Sequence, residues 1–256
     1  MNNPMSLEGS VIIVTGAGQG IGRGVATFAA DLGARVVAVD MNAEAVNETA
    51  DLIGEACVAL VGDVADPEFP DRMVKFTVDT FGDINGLVNN AGIVRAAMAD
   101  KMTRETWQQV IDVNLTGVFA CLQAVGIYFK EQVKLGKTGL RSIVNISSDA
   151  GRKGTIGQIN YGAAKAGVLG LTMSAAREWG RYEINVNTVA FGMIETPMTE
   201  TIRSDKFRDK YLSQIPMGRM STPEEVAKPV CFLLSGAASY ITGQHLSVNG
   251  GYHIGF

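Results

Sequence analysis

Tyr161 and Lys165 stand four residues apart in Tyr161-Gly162-Ala163-Ala164-Lys165, and Ser148 lies thirteen residues upstream. On a helix, residues at i and i+4 share one face, so this spacing places an ammonium beside a phenol. An ordinary tyrosine titrates near ~10, and a neighbouring cation favours the phenolate, drawing the group toward a useful proton donor and acceptor at working pH. The pattern predicts a proton-transfer pair.

A second constellation lies at the other end of the chain. Thr15-Gly16-Ala17-Gly18-Gln19-Gly20-Ile21-Gly22 directly follows an apolar run and opens a helix-forming stretch. Gly16, Gly20 and Gly22, with Gln19 and Ile21 between them, suit a tight turn and a close approach of backbone to a pyrophosphate at a helix N-terminus. Asp40, 18 residues past Gly22, ends the next apolar run, where an acid can bind ribose hydroxyls. A carboxylate there repels a 2'-phosphate, and Gln19, Met41 and Asn42 bring no cation. NAD is therefore expected rather than NADP, with Arg23 and Arg35 the basic residues near enough in sequence to weaken that reading. Asp63-Val64, after the third run, is placed to meet the adenine amino group; Asn90, Ala91 and Gly92, after the fourth, supply small residues where a cofactor passes close to backbone.

These residues need a scaffold. Continuous β-branched runs at 11–14, 35–39, 57–61, 86–88, 142–146, 184–187 and 245–248 alternate with helical stretches. Continuous rather than alternating apolar runs suit strands covered on both faces. Seven of them predict an α/β, doubly wound seven-stranded parallel sheet of Rossmann type, with helices on both faces. No linker or repeat interrupts residues 1–256, which read as one domain. The stretch 193–216 is long for a connection and falls after the sixth strand, where a lid over the ligand crevice is expected; within it, 203–210 reads as a charged helix. Residues 131–141 read as a solvated helix end and loop. Residues 166–176 contain no charge, so one face of that helix is expected on the sheet and the other on a second subunit, with burial under the lid as the alternative.

Composition excludes several classes. The 256 residues are 46% hydrophobic and 19% charged, as in an ordinary soluble domain. The net charge of -4, from 22 basic and 26 acidic residues, offers no stripe for nucleic acid. Cys57, Cys121 and Cys231 are far apart in apolar surroundings, and neither His245 nor His253 has a neighbour at ligand spacing, so no metal site is expected. The N-terminal residues lack a signal-peptide pattern, and no uninterrupted apolar run reaches the roughly 18 residues of a membrane span. A cytoplasmic location is expected.

In order and at family spacing, Thr15-Gly16-x-x-x-Gly20-x-Gly22, Asp63, Asn89-Asn90-Ala91-Gly92, Asn114, Ser148, Tyr161 and Lys165 resemble the short-chain dehydrogenases/reductases over nearly the whole chain. The resemblance implies an oxidoreductase exchanging a hydride between nicotinamide and a secondary alcohol or ketone, with a catalytic tetrad of Asn114, Ser148, Tyr161 and Lys165. Ser148 would hold the substrate oxygen, Tyr161 would exchange its proton, Lys165 would lower the phenol pKa and hold the nicotinamide ribose, and Asn114 would anchor a water relay. Thr196 would hold the carboxamide, with the backbone of Ile194 beside it. One departure is Phe191, standing where the family has proline, which puts an aromatic ring near the nicotinamide end. The chain looks most like 3-oxoacyl-ACP reductases and 3-hydroxyacyl-CoA dehydrogenases, implying an acyl carrier protein or CoA as carrier and a homotetramer. Lys134, Lys137, Arg141 and Arg181 are candidate carrier contacts. The alternatives are an NAD-dependent dehydrogenase of a small diol, polyol or sugar and, more remotely, a dinucleotide-sensing regulator without catalysis.

Overall fold

The apolar runs are strands because β-branched side chains stack well on a pleat buried from both sides. A computed structural model describes residues 3–200 and 205–255. Its strands are β1 (Val11–Thr15), β2 (Arg35–Asp40), β3 (Cys57–Val61), β4 (Gly86–Asn89), β5 (Arg141–Ser148), β6 (Ile184–Phe191) and β7 (His245–Val248). They form one seven-stranded sheet in the order β3-β2-β1-β4-β5-β6-β7, and every pairing is parallel. The order reverses between β1 and β4, which opens a crevice beyond their carboxyl ends.

The helices are α1 (Gly20–Asp31), α2 (Ala43–Ile53), α3 (Phe69–Phe81), α4 (Arg104–Ile111), α5 (Gly117–Lys134), α6 (Ala150–Lys153), α7 (Ile159–Trp179), α8 (Asp205–Leu212) and α9 (Pro223–Leu234). Alternate strand residues point to opposite faces, so Ile12, Val14 and Val36 pack with α1 and α9, whereas Ile13, Val37 and Leu87 pack with α3, α5 and α7. Helix α4 runs into α5 through a π turn, Asp112–Thr116. The joined stretch Arg104–Lys134 is long and apolar enough by composition to cross a membrane. Here Cys121, Leu122, Val125 and Phe129 are buried in the sheet-facing core.

Three expectations are corrected. The edge strand β7 is not covered on both faces: it is partly exposed, with Leu246 at 36%. Strands β5 and β6 extend well past the apolar runs, because their polar residues are buried in hydrogen bonds: Asn145 Nδ2 donates to Thr172 Oγ1 at 2.9 Å, and Thr188 Oγ1 donates to the same oxygen at 2.7 Å. Arg141 is not a solvated loop residue and cannot meet a carrier. It is 1% exposed and its Nη1 donates to the Ile84 carbonyl at 2.7 Å. The three cysteines are buried, as expected.

Between β6 and α9 the chain makes the excursion read as a lid. The expected helix is present as α8, while 201–204 lie outside the described residues. The base is pinned where Glu195 N donates to Ser221 O at 2.9 Å and Ser221 N donates to Met193 O at 3.2 Å.

Candidate active site

The glycine-rich turn is built by close approach. Gly16 adopts φ +64°, and a methyl there would lie 2.8 Å from Ala91 Cα; a methyl at Gly22 would lie 2.0 Å from the Gly16 carbonyl oxygen. Only glycine lets α1 rise this tightly against the turn. Asn90 locks the two loops together, its Nδ2 donating to Thr15 O at 3.0 Å and Gly16 O at 3.1 Å. Thr15 Oγ1 in turn accepts from the amides of Asn90 and Ala91. The amide of Asn90 is thus a strut; what it offers a cofactor is the position of the backbone. Thr15 was missed as a functional residue, and its place at the end of β1, facing the β4 loop, is a register fact invisible in one sequence.

A cleft of about 370 Å³ lies over this crevice. Gly16, Gln19, Gly20, Ile21, Asp40, Asp63, Val64, Asn90, Ala91, Gly92 and Thr196 all line it. Gly22 does not, being buried beneath the turn. Neither does Ile194, which is 3% exposed in the core and whose carbonyl accepts from Thr199 Oγ1 at 2.6 Å.

Asp40 is held by backbone on both oxygens: Oδ2 accepts from Gly18 N at 3.0 Å and Oδ1 from Asn42 N at 3.0 Å. Each oxygen keeps a further lone pair for a hydroxyl donor. The two nearby cations are engaged elsewhere. Arg23 donates to Gly18 O, Ala45 O, Glu48 and Thr49, and Arg35 lies over the Phe81 ring at 5.0 Å.

The residues expected to transfer the proton lie at the carboxyl end of β5 and in the first turns of α7. Ser148 ends β5, Tyr161 and Lys165 lie on α7 one turn apart, and Gly92 brings the cleft to them: a methyl at Gly92 would be 3.7 Å from Lys165 Nζ. Ser147 and Ser148 face opposite sides of β5. The Ser147 hydroxyl is buried and donates to Lys165 O at 2.8 Å. Burial pushes the Tyr161 phenol above its ordinary pKa, and the hydrogen bond with Ser148 opposes that rise. Burial also draws Lys165 down to about 8.

Three further residues have well-defined surroundings. The Lys165 ammonium donates to Ile146 O at 2.8 Å and lies 5.7 Å from the Tyr161 ring centre. Asn114, fully buried in the π turn, has both ends of its amide on Ile93: Oδ1 accepts from Ile93 N at 2.8 Å and Nδ2 donates to Ile93 O at 2.7 Å. One lone pair of Oδ1 and one N–H are thereby committed to Ile93, and the π turn breaks the helical ladder and loosens backbone carbonyls. Phe191 was expected near the nicotinamide end but does not line the cleft. As the last residue of β6 it pairs with Ser148 and Val248, is 4% exposed, and packs in the core with Val189 and Ile194.

A family model described as enoyl-(acyl carrier protein) reductase matches residues 16–253. The 3-oxoacyl-[acyl-carrier-protein] reductase FabG of Vibrio cholerae is 40% identical over 98% of this chain and 100% of its own length. The chain belongs to the short-chain dehydrogenase/reductase family. FabG of Thermotoga maritima is another relative of this short-chain dehydrogenase/reductase, 44% identical over 96% of the chain and 99% of its own. Among solved structures, a gluconate 5-dehydrogenase from Beutenbergia cavernae with NADP bound at low occupancy superposes with a TM-score of 0.90 at 36% identity, covering 98% of this chain and 99% of its own. A 2-deoxy-D-gluconate 3-dehydrogenase from Agrobacterium tumefaciens with bound NADP gives 0.88 at 40% identity, with the same coverage. The enzyme is an NAD(P)-dependent oxidoreductase acting on CH-OH groups.

Proposed function

We propose that this enzyme is an NAD(H)-dependent 3-oxoacyl thioester reductase, acting in the reverse direction as a 3-hydroxyacyl thioester dehydrogenase. The observation that carries the reading is buried Lys165 one helical turn from Tyr161, where a methyl on Gly92 would stand 3.7 Å from its Nζ, beside a cleft lined by Gly92 and Asp40. The thioester class is supported by the FabG relatives, and the exposed Lys134, Lys137 and Arg181 are candidate contacts for an acyl carrier protein or CoA. A dehydrogenase of a small polyol or sugar acid is the second reading, favoured by the two gluconate-type structures.

The bound dinucleotide supplies or accepts the hydride. Gly16, Gln19, Gly20 and Ile21 would seat its pyrophosphate at the α1 N-terminus, Asp40 its adenosine ribose, Asp63 and Val64 its adenine, and Thr196 its carboxamide. Tyr161 exchanges the proton with the substrate oxygen and must approach it within ~2.6–3.2 Å. Ser148 orients that oxygen, Lys165 holds positive charge beside the phenol, and Asn114 keeps Ile93, and with it Gly92, in place. The described parts of the excursion, 193–200 and 205–216, are assigned as a lid over the substrate.

Asp40 decides between the dinucleotides. A carboxylate ~4 Å from an added unit of negative charge costs about 1 kcal/mol in water and about 4 at an effective dielectric of 20. That corresponds to roughly fivefold to a thousandfold preference for NADH. Fluorescence titration with NADH and NADPH, followed by oxidation of the bound cofactor with acetoacetyl-CoA, is expected to show tight NADH binding and turnover. Binding without thioester turnover would favour the sugar reading, and a preference for NADPH would overturn the role of Asp40. Tyr161→Phe is expected to abolish turnover while leaving NADH binding intact; a wild type inert toward alcohols and ketones would instead favour a sensor.

A further inference from the structure

Ser148 is followed by Asp149, a carboxylate only 2% exposed. Buried acids need partners, and this one has the Asn249 amide, whose Nδ2 lies 3.1 Å from Oδ1 and 3.0 Å from Oδ2. The same Nδ2 donates to His253 O at 3.0 Å, so the pair ties the chain beyond β7 to the residue next to the reactive serine. Asp149 also organises the other direction. Its amide donates to Phe191 O at 3.0 Å, and its carbonyl accepts from Arg152 N and Lys153 N, forming the turn of α6.

Helix α6 is seated directly on the part of α7 that carries Tyr161 and Lys165. A methyl at Gly151 would stand 2.6 Å from Ala166 N, and one at Gly162 would stand 3.1 Å from Ala150 O. From its outer side α6 is gripped by the carboxy-terminal segment: Arg152 donates to Ser247 Oγ and Gly255 O, each at 2.5 Å, and Lys153 Nζ lies 3.0 Å from the Tyr252 ring centre. We propose that Asp149, through Asn249, is a positioning residue with which residues 247–255 hold Ser148 in hydrogen-bond register with Tyr161. The inference rests on the assignment of Ser148 and Tyr161 above.

Arg152 and Lys153 of α6 and His253 of the tail are the charged or titratable groups facing Asp149, and all of them, with the Asn249 amide, act against the rise that burial imposes on its carboxyl. Asn249→Asp sets two carboxylates against each other in the same space. Misplacing a reacting group by about 1 Å can cost on the order of a hundredfold, so kcat is expected to fall roughly ten- to a hundredfold, with NADH affinity held within about twofold. Below about pH 5, where the pair can share a proton, kcat recovers relative to wild type. The swapped Asp149→Asn/Asn249→Asp enzyme, with one acid and one amide again, is expected to regain kcat at neutral pH.

Ultraviolet difference titration of the NAD-bound proteins, with Tyr161→Phe as the blank in each background, reads the Ser148–Tyr161 bond without substrate. Asn249→Asp is expected to move the Tyr161 titration upward and the swap to return it. A folded Asn249→Asp protein with the wild-type Tyr161 titration overturns the inference. So does parallel loss of kcat and NADH binding that the swap does not repair. A wild type that turns over no ketone would overturn the assigned reaction, while the titration would still decide this point.

Discussion

Lys165 shows how a residue's neighbourhood sets its chemistry. Its Nζ is buried 2.8 Å from the Ile146 carbonyl, and desolvation brings its pKa to about 8. In the unfolded chain the same amine stays charged to ~10.4. Between those values the unfolded state binds more protons, so stability rises with pH through that window. Lys165→Met lacks this term. Urea melts from pH ~8 to ~10.4 are therefore expected to show the wild type gaining on the Met variant; a constant gap would mean that the ammonium is not desolvated. The i, i+4 spacing of Tyr161 and Lys165 was legible in the sequence because helix geometry fixes it. The carbonyl that holds the ammonium was not, since Ile146 lies on another element, nineteen residues away.

At the scale of elements, the end of β6 is the clearest divergence between expectation and structure. A ring in place of proline at 191 suggested contact with the nicotinamide, but strand register turns Phe191 into the core beside Val189 and Ile194. Phe191→Ala is expected to lower stability by about 3–5 kcal/mol, the usual cost of deleting a buried ring, and to leave NADH affinity unchanged, as denaturant melts and fluorescence titration would show. Lost NADH binding at unchanged stability would put the ring at the cofactor after all. The π turn at Asp112–Thr116 was equally hidden. Helical periodicity in Trp107-Gln108-Gln109-Val110 continues into α5 without a break, and only the Asn114–Ile93 clasp reveals where the ladder shifts.

For the whole molecule, the uncharged helix predicted from residues 166–176 is α7, and its outer stripe Ala163, Ala166, Gly170 and Met173 is exposed in the single chain. Thr116 at the end of the π turn and Phe119, Gln123 and Ile127 of α5 form a second exposed stripe. Small and apolar residues at helical spacing suit helix-to-helix packing between copies, in keeping with the proposed homotetramer. Light scattering at micromolar concentration is expected to give a tetramer, and Met173→Glu a smaller particle; a monomeric wild type would remove this reading. The sequence alone made legible the strands, the glycine-rich turn and the Tyr161–Lys165 pair on one helix face, because each depends on local periodicity or on spacing within one element, whereas Ser148, on β5, was reached through the family resemblance. Tertiary structure alone decided that Arg141 is buried, that Asn114 clasps Ile93, that Arg23 turns from Asp40, and that Asn249 reaches Asp149. Those are contacts between segments up to a hundred residues apart, and they are set by strand order and register, which no single stretch of chain encodes.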